Sequence, residues 1–215
     1  MPNKPAIAIN KPAEQARIAS LMDAIAAAKA DVSEEKAKMY EDGTIDGKSA
    51  NIKMAEEKIR QHLGEIITSK DGIDARVSSN SIGKLVSGDA IRASKKSQKF
   101  TAKQHLAAAA DIVDLFKNSI KIYEHPDIKN DPNIKGMYRF IAPLYNNNVA
   151  FITVKEATIQ GNRIYSIELI ELGRLEGKLE EIKEKLNSSL SKPSEGLETT
   201  NNPIDNIEKC LKDVF

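Results

Sequence analysis

Met137-Tyr138-Arg139-Phe140-Ile141-Ala142-Pro143-Leu144 runs into Tyr145-Asn146-Asn147-Asn148 and then into Val149-Ala150-Phe151-Ile152-Thr153-Val154-Lys155. Tyr138, Phe140, Ala142 and Leu144 fall on alternate positions and so share one face of a strand. Asparagine tolerates left-handed backbone, so the Asn-rich segment between the two runs predicts a tight hairpin turn. A further alternating run, Arg163–Leu172, follows around Gln160-Gly161-Asn162, and a short one, Ile120–Tyr123, precedes. Between that short run and Met137, Pro126 and Pro132 with Asp127, Asp131 and Asn133 predict a loop, because proline breaks the ladder. Short connections make successive strands antiparallel neighbours, giving a roughly four-stranded antiparallel sheet.

Upstream, Thr101 followed by Gln104 matches a capping box and starts a helix through Asn118, with Leu106, Ala110, Val113, Leu115 and Phe116 on its buried face. The expected architecture is α+β: N-terminal helices, then this helix packed on the sheet, then a C-terminal helix. Residues 1–12, with three prolines, read as a leader. Residues 13–70 read as a helical arm. Ile18, Leu21, Met22, Ile25 and Ala28 make an amphipathic stripe ending near Asp31, and Ser33 caps a short polar helix closed by Gly43 and Gly47. A third helix is expected over Ser49–Ile67. The α+β core covers 71–172, a Glu- and Lys-rich helix 173–190, and a polar linker and tail 191–215. The Ala-rich arm offers weakly apolar faces suited to loose packing or to a protein partner.

At 215 residues, with 40% hydrophobic and 29% charged residues, the composition is that of a globular chain. Thirty-two basic against 31 acidic residues give a net charge of +1, so any basic surface has to be local. The single cysteine, Cys210, excludes an internal disulfide and a Cys-based zinc site, and fits a reducing, cytoplasmic compartment. No apolar run is long enough to span a membrane, and Ala6–Ile9 is too short for a signal-peptide core.

The chemistry-bearing residues narrow the function classes. His62, His105 and His125 have no metal-ligand spacing, so neither a metal nor a cofactor is implied. Gly83-Lys84 lacks the glycine and the Ser/Thr of a phosphate loop, and no Gly-x-Ser-x-Gly elbow occurs. Glu168 and Glu171 fall on opposite faces of a strand. The most informative feature is a basic run: Lys84, Arg92, Lys95, Lys96, Lys99 and Lys103 face only Asp89. It reads either as a solvated loop or as a face that neutralises phosphates. His105 lies in the first turn of a helix, where the dipole favours neutral imidazole. On the second view it serves as general base, with Lys84, Arg139 and Lys155 stabilising negative charge, as metal-free RNA cleavage through the 2′-hydroxyl requires. If the strands at 149–155 and 163–169 pair, Lys155 and Tyr165 come near each other.

Asn80-Ser81-Ile82-Gly83-Lys84-Leu85, Phe100-Thr101 with His105, Leu115-Phe116, Gly136–Phe140 with Ala142-Pro143, Ile152–Glu156 and Ile164–Leu169 occur in an order that resembles the large polyvalent protein-associated domain 3 family, over about Val77 to Leu172. Such domains occur in proteins of phages and conjugative elements. Their layout is similar to that of barnase–EndoU–colicin–RelE type nucleases, which place helices before a four-stranded antiparallel sheet. The resemblance implies bacterial mobile-element biology with nuclease-like or toxin-like use, and marks Lys84, His105, Arg139, Lys155 and Tyr165 as motif members. Two functions are therefore expected: a metal-independent ribonuclease acting on RNA, or a non-catalytic interaction or assembly module that docks a protein partner through the N-terminal helices.

Overall fold

A computed structural model describes residues 11–98, 100–127, 131–159, 162–176 and 182. Three helices open the chain: α1 (Lys11–Ala30), α2 (Glu34–Asp42) and α3 (Ile52–Arg60). Ser33 caps α2 by accepting the Lys36 amide, and Gly43 ends it in the left-handed conformation at φ 65°. A β-carbon on Gly43 would stand 2.6 Å from the Lys103 Cβ, so that position needs glycine for backbone and for space. Asp46 and Gly47, both at positive φ, turn a hairpin between β1 (Thr44–Ile45) and β2 (Lys48–Ser49).

The expected third helix ends at Arg60, not Ile67. Residues Ile66–Thr68 instead form β3, which pairs antiparallel with β4 (Asp74–Arg76). Ser78-Ser79-Asn80-Ser81, residue types that also favour turns, is a helix start here. Ser78 and Ser81 make a reciprocal capping box at the head of α4 (Ser79–Leu85). Of the basic run, Lys84 lies on α4, and Arg92, Lys95 and Lys96 lie on α5 (Gly88–Gln98). Thr101 and Gln104 form the expected capping box of α6 (Ala102–Ala110), but the helix breaks at Asp111 before α7 (Ile112–Lys117).

The long strands follow: β5 (Ile120–His125), β6 (Ile134–Pro143), β7 (Asn148–Ile159) and β8 (Asn162–Arg174). They pair in sequence as antiparallel neighbours, as expected. The sheet they belong to is larger than expected and mixed, with six strands in the order β3-β4-β8-β7-β6-β5. β4 joins β8 in parallel, Arg76 opposite Ser166. The sheet curls until the β3–β4 turn meets the start of β5, where the Lys70 amide donates to the Ser119 carbonyl (3.1 Å) and the Lys121 amide to the Asp71 carboxylate (2.9 Å).

Two cores lie on the two faces of this sheet. The inner face carries Phe140, Ala142, Ile152, Val154, Ile167 and Ile170, packed against α2 to α7 with Tyr40, Ile59, Leu85, Leu106 and Phe116. Phe116 meets Phe140 edge to face, ring centroids 5.1 Å apart. The outer face carries Ile120, Ile122, Ile141, Val149 and Phe151 against Leu21, Ala24, Ile25 and Ala28 of α1. Of the arm expected to pack loosely or to meet a partner, the stripe residues Leu21, Ile25 and Ala28 are buried on the protein's own sheet. The expected leader lies outside the described residues apart from Lys11 and Pro12. So does the expected C-terminal helix, apart from Gly173 and Arg174, which close β8, and from Leu175, Glu176 and Ile182. The expected linker and tail lie wholly outside them.

Candidate functional site

His105 is 0% exposed. Its Nε2–H donates to the Leu85 carbonyl at 2.8 Å, since a carbonyl can only accept. Nδ1 is then the acceptor for the Ser94 hydroxyl, also at 2.8 Å, and Ser94 Oγ accepts the Leu172 amide at 3.0 Å. One relay therefore ties together α4, α6, α5 and β8, and it fixes the imidazole as the neutral Nε2–H tautomer. The ring's pKa lies below the ordinary 6.5, and the main cause is burial rather than the helix dipole, opposed by the bond to Leu85. Both nitrogens are committed within the fold.

Lys84 on α4 pairs with Glu168 on β8. A bulge between Thr153 and Val154 of β7 shifts the register so that Thr153 faces Leu169 while Val154 faces Ile167. The extra residue, Glu168, turns toward the same side as Ile167 and meets Lys84 there. Glu171 faces the other way, where Arg139 takes it at 2.7 Å. The two carboxylates do sit on opposite faces.

Tyr165 lies on the inner face beside Tyr138, ring centroids 5.7 Å apart. The Tyr138 hydroxyl donates to Glu156, which is 3% exposed, and Lys121 Nζ stands 5.2 Å from the Tyr138 ring centroid. Burial, then the hydrogen bond to Glu156 and its charge, holds the Tyr138 phenol well above its usual range, so it stays a hydrogen-bond donor. Arg139 and Lys155 lie on the outer face. Arg139 bonds Thr153 Oγ1 (2.6 Å) and stands 5.3 Å from the Phe151 ring centroid. Lys155 stands opposite Ser166 and Met137, one register step from the pair Glu156–Tyr165 and on the other face.

The sheet therefore divides the five sequence-derived candidates. Lys84, His105 and Tyr165 are on the helical side, Arg139 and Lys155 on the other, and no single cleft holds them.

A different cleft, of about 460 Å³, has little trace in the sequence. It opens between the start of α2 and the end of α7, lined among others by Lys36, Tyr40, Lys70, Asp114 and Lys117. Lys36 Nζ bonds both Asp111 oxygens (3.0 and 2.8 Å) and Asp114, and the Tyr40 hydroxyl donates to Asp111. Burial would lower the Lys36 pKa, but the two aspartates outweigh it and raise it. Lys36 holds Asp114 below the usual carboxylate range despite partial burial. Lys70 pairs with Asp31 and Lys117 lies 3.8 Å from Asp114, so each lysine of the cleft faces a carboxylate. The one signal for it in the sequence is Asp111, an acid interrupting an apolar helical run.

Among the described residues no three His, Cys, Asp or Glu side chains gather to hold a metal ion, and no helix is long and apolar enough to cross a membrane. No curated protein and no solved structure matches the chain. A family model does. It starts at Asp46, within the expected arm, and takes in β2 to β7, the helices between them and the start of β8, ending at Tyr165. Matched over residues 46–165, more than half its length, the chain belongs to the large polyvalent protein-associated domain 3 family.

Proposed function

We propose that this protein is a non-catalytic binding module serving a mobile genetic element. The polyvalent-protein family supplies the mobile-element association. The observation that carries the rest is the position of His105. A general base has to reach the proton it removes, directly or through one water. His105 is wholly buried, with both ring nitrogens bonded to Ser94 and Leu85. The neighbouring polar groups of the inner face are matched in the same way, Lys84 with Glu168 and Tyr138 with Glu156.

The competing assignment, a metal-independent ribonuclease with His105 as acid/base, makes a different demand. The protein is incubated with mixed RNA in EDTA beside His105→Ala. The expected result is intact RNA with both proteins. Cleavage by the wild type that His105→Ala loses overturns the binding-module assignment.

A further inference from the structure

The strand registers line up one row of side chains across the outer face. Ile66 stands opposite Arg76, Arg76 opposite Ser166, Ser166 opposite Lys155, Lys155 opposite Met137, and Met137 opposite His125. The inner-facing neighbours confirm the side: Ile67, Ala75, Ile167 and Val154 all belong to the helical core. Three cationic or protonatable side chains thus occur on alternate strands of one row, about 10 Å apart at the usual strand spacing.

Arg76, Lys155 and His125 are each partly exposed, and the His125 Nδ1–H donates to the Pro126 carbonyl at 2.9 Å. Arg76 and Lys155 make no ion pair among the described residues, and Arg76 Nε is buried there without a hydrogen-bond partner. Among the described strand residues of this face the carboxylates are Asp74 and Glu171, and both are occupied. Asp74 accepts the Thr68 hydroxyl at 2.7 Å, and Glu171 is taken by Arg139. Ser166 sits between Arg76 and Lys155 as a further donor. Ile66, 69% exposed, and Met137, partly exposed, supply apolar contact along the row.

We propose that this row binds the phosphate backbone of a single-stranded nucleic acid, with Arg76 and Lys155 as its principal contacts and His125 at one end. The proposal rests on the binding-module reading and names its ligand. Direction chooses the ligand class. A peptide that recognises a sheet pairs with an edge strand, parallel to the strands. This row runs across the strands, where only side chains can read a ligand. The row also follows the curl of the sheet, which suits a flexible strand better than a stiff duplex. Among the described residues of the row only His125 has a partly exposed ring, since its neighbour Tyr123 is 9% exposed, so recognition is of backbone charge and not of base sequence.

The test uses the full chain in EDTA and labelled oligo-uridine and oligo-deoxythymidine of roughly a dozen nucleotides, read by fluorescence anisotropy at several salt concentrations. Both strands are expected to bind, weakening as salt rises. Lys155→Glu and Arg76→Glu should each lower affinity at least tenfold at low salt. The milder Lys155→Gln should flatten the log–log salt slope by about 0.7, the change expected when one fewer phosphate of a single strand is neutralised. Lys95→Glu on α5 should change affinity less than twofold. Circular dichroism melts show whether each variant is folded. Absence of binding to either strand, equal weakening with Lys95→Glu, or tighter binding of a duplex or of poly-glutamate overturns the proposal. Cleavage of the oligo-uridine is a separate readout, which overturns the binding-module reading instead.

Discussion

The inner and outer faces of the sheet are built from the same four long strands, yet they treat polar groups differently. Inside, His105, Lys84, Tyr138 and Glu156 each have a partner supplied by another element. Outside, α1 covers the apolar part and leaves Arg76 and Lys155 without ion pairs among the described residues. A polar residue inside the curl is therefore a structural element. Outside, Arg139 is likewise held, by Glu171 and Thr153, while Arg76 and Lys155 have no ion pair among the described residues. The type of residue does not distinguish these cases; its partners do.

Substitutions test this contrast most strongly in the core. Phe140→Ala removes a fully buried ring packed on Phe116 and should cost about 3–5 kcal/mol of unfolding free energy. Urea denaturation measures it, and a cost under about 1 kcal/mol would mean that the inner core is loosely packed. His105→Ala should cost about 1–3 kcal/mol, because it strands the Leu85 carbonyl and the Ser94 hydroxyl away from water.

The same histidine predicts a pH effect of definite sign. Its folded pKa lies below 6.5, so the unfolded chain binds its proton more readily. The contribution of neutral His105 is whole above pH 6.5 and falls away as pH drops below it. Denaturation midpoints at about pH 7.5 and about pH 5.5 should differ more in the wild type than in His105→Gln. An equal difference would show that His105 does not carry this dependence.

The smallest effects belong to the surface. Lys84→Ala should cost about 1 kcal/mol, because Lys84 is 54% exposed but its loss leaves the Glu168 side chain, 11% exposed, without its partner. Lys155→Ala should shift stability by less than about 0.5 kcal/mol. A larger cost there, read by the same melts, would place Lys155 among the structural residues and weaken the contrast between the faces.

The long strands are legible in the sequence because alternation over ten or more residues leaves little choice. The α6 capping box is legible because Thr101 and Gln104 stand at the required spacing. β3 and β4 are not, because three-residue strands carry no period. Ile66 and Ile67 also continue the helical spacing set by Ile59 and Leu63, so the residues look like another helix turn. In the structure Leu63 and Ile66 are exposed, and pairing with β4 decides the conformation. Of the candidate site, the residue types are visible in the sequence and their faces are not. Lys155 and Tyr165 are near in register, as expected, but one step of register puts them on opposite sides. Nothing local marks Arg76. It becomes interesting only through its partner Ser166, which lies far along the chain.

That long-range pairing also sets an order of assembly. β3 and β4 are made early, but they enter the six-stranded sheet only through β8. About 90 residues separate Arg76 from Ser166, and contacts so distant in sequence form slowly. During synthesis the β3–β4 hairpin must therefore wait, its strands unclaimed, until the last strand has left the ribosome. A stall or truncation before β8 would leave β5 to β7 paired but parted from β3 and β4, and the sheet could not close around the helices.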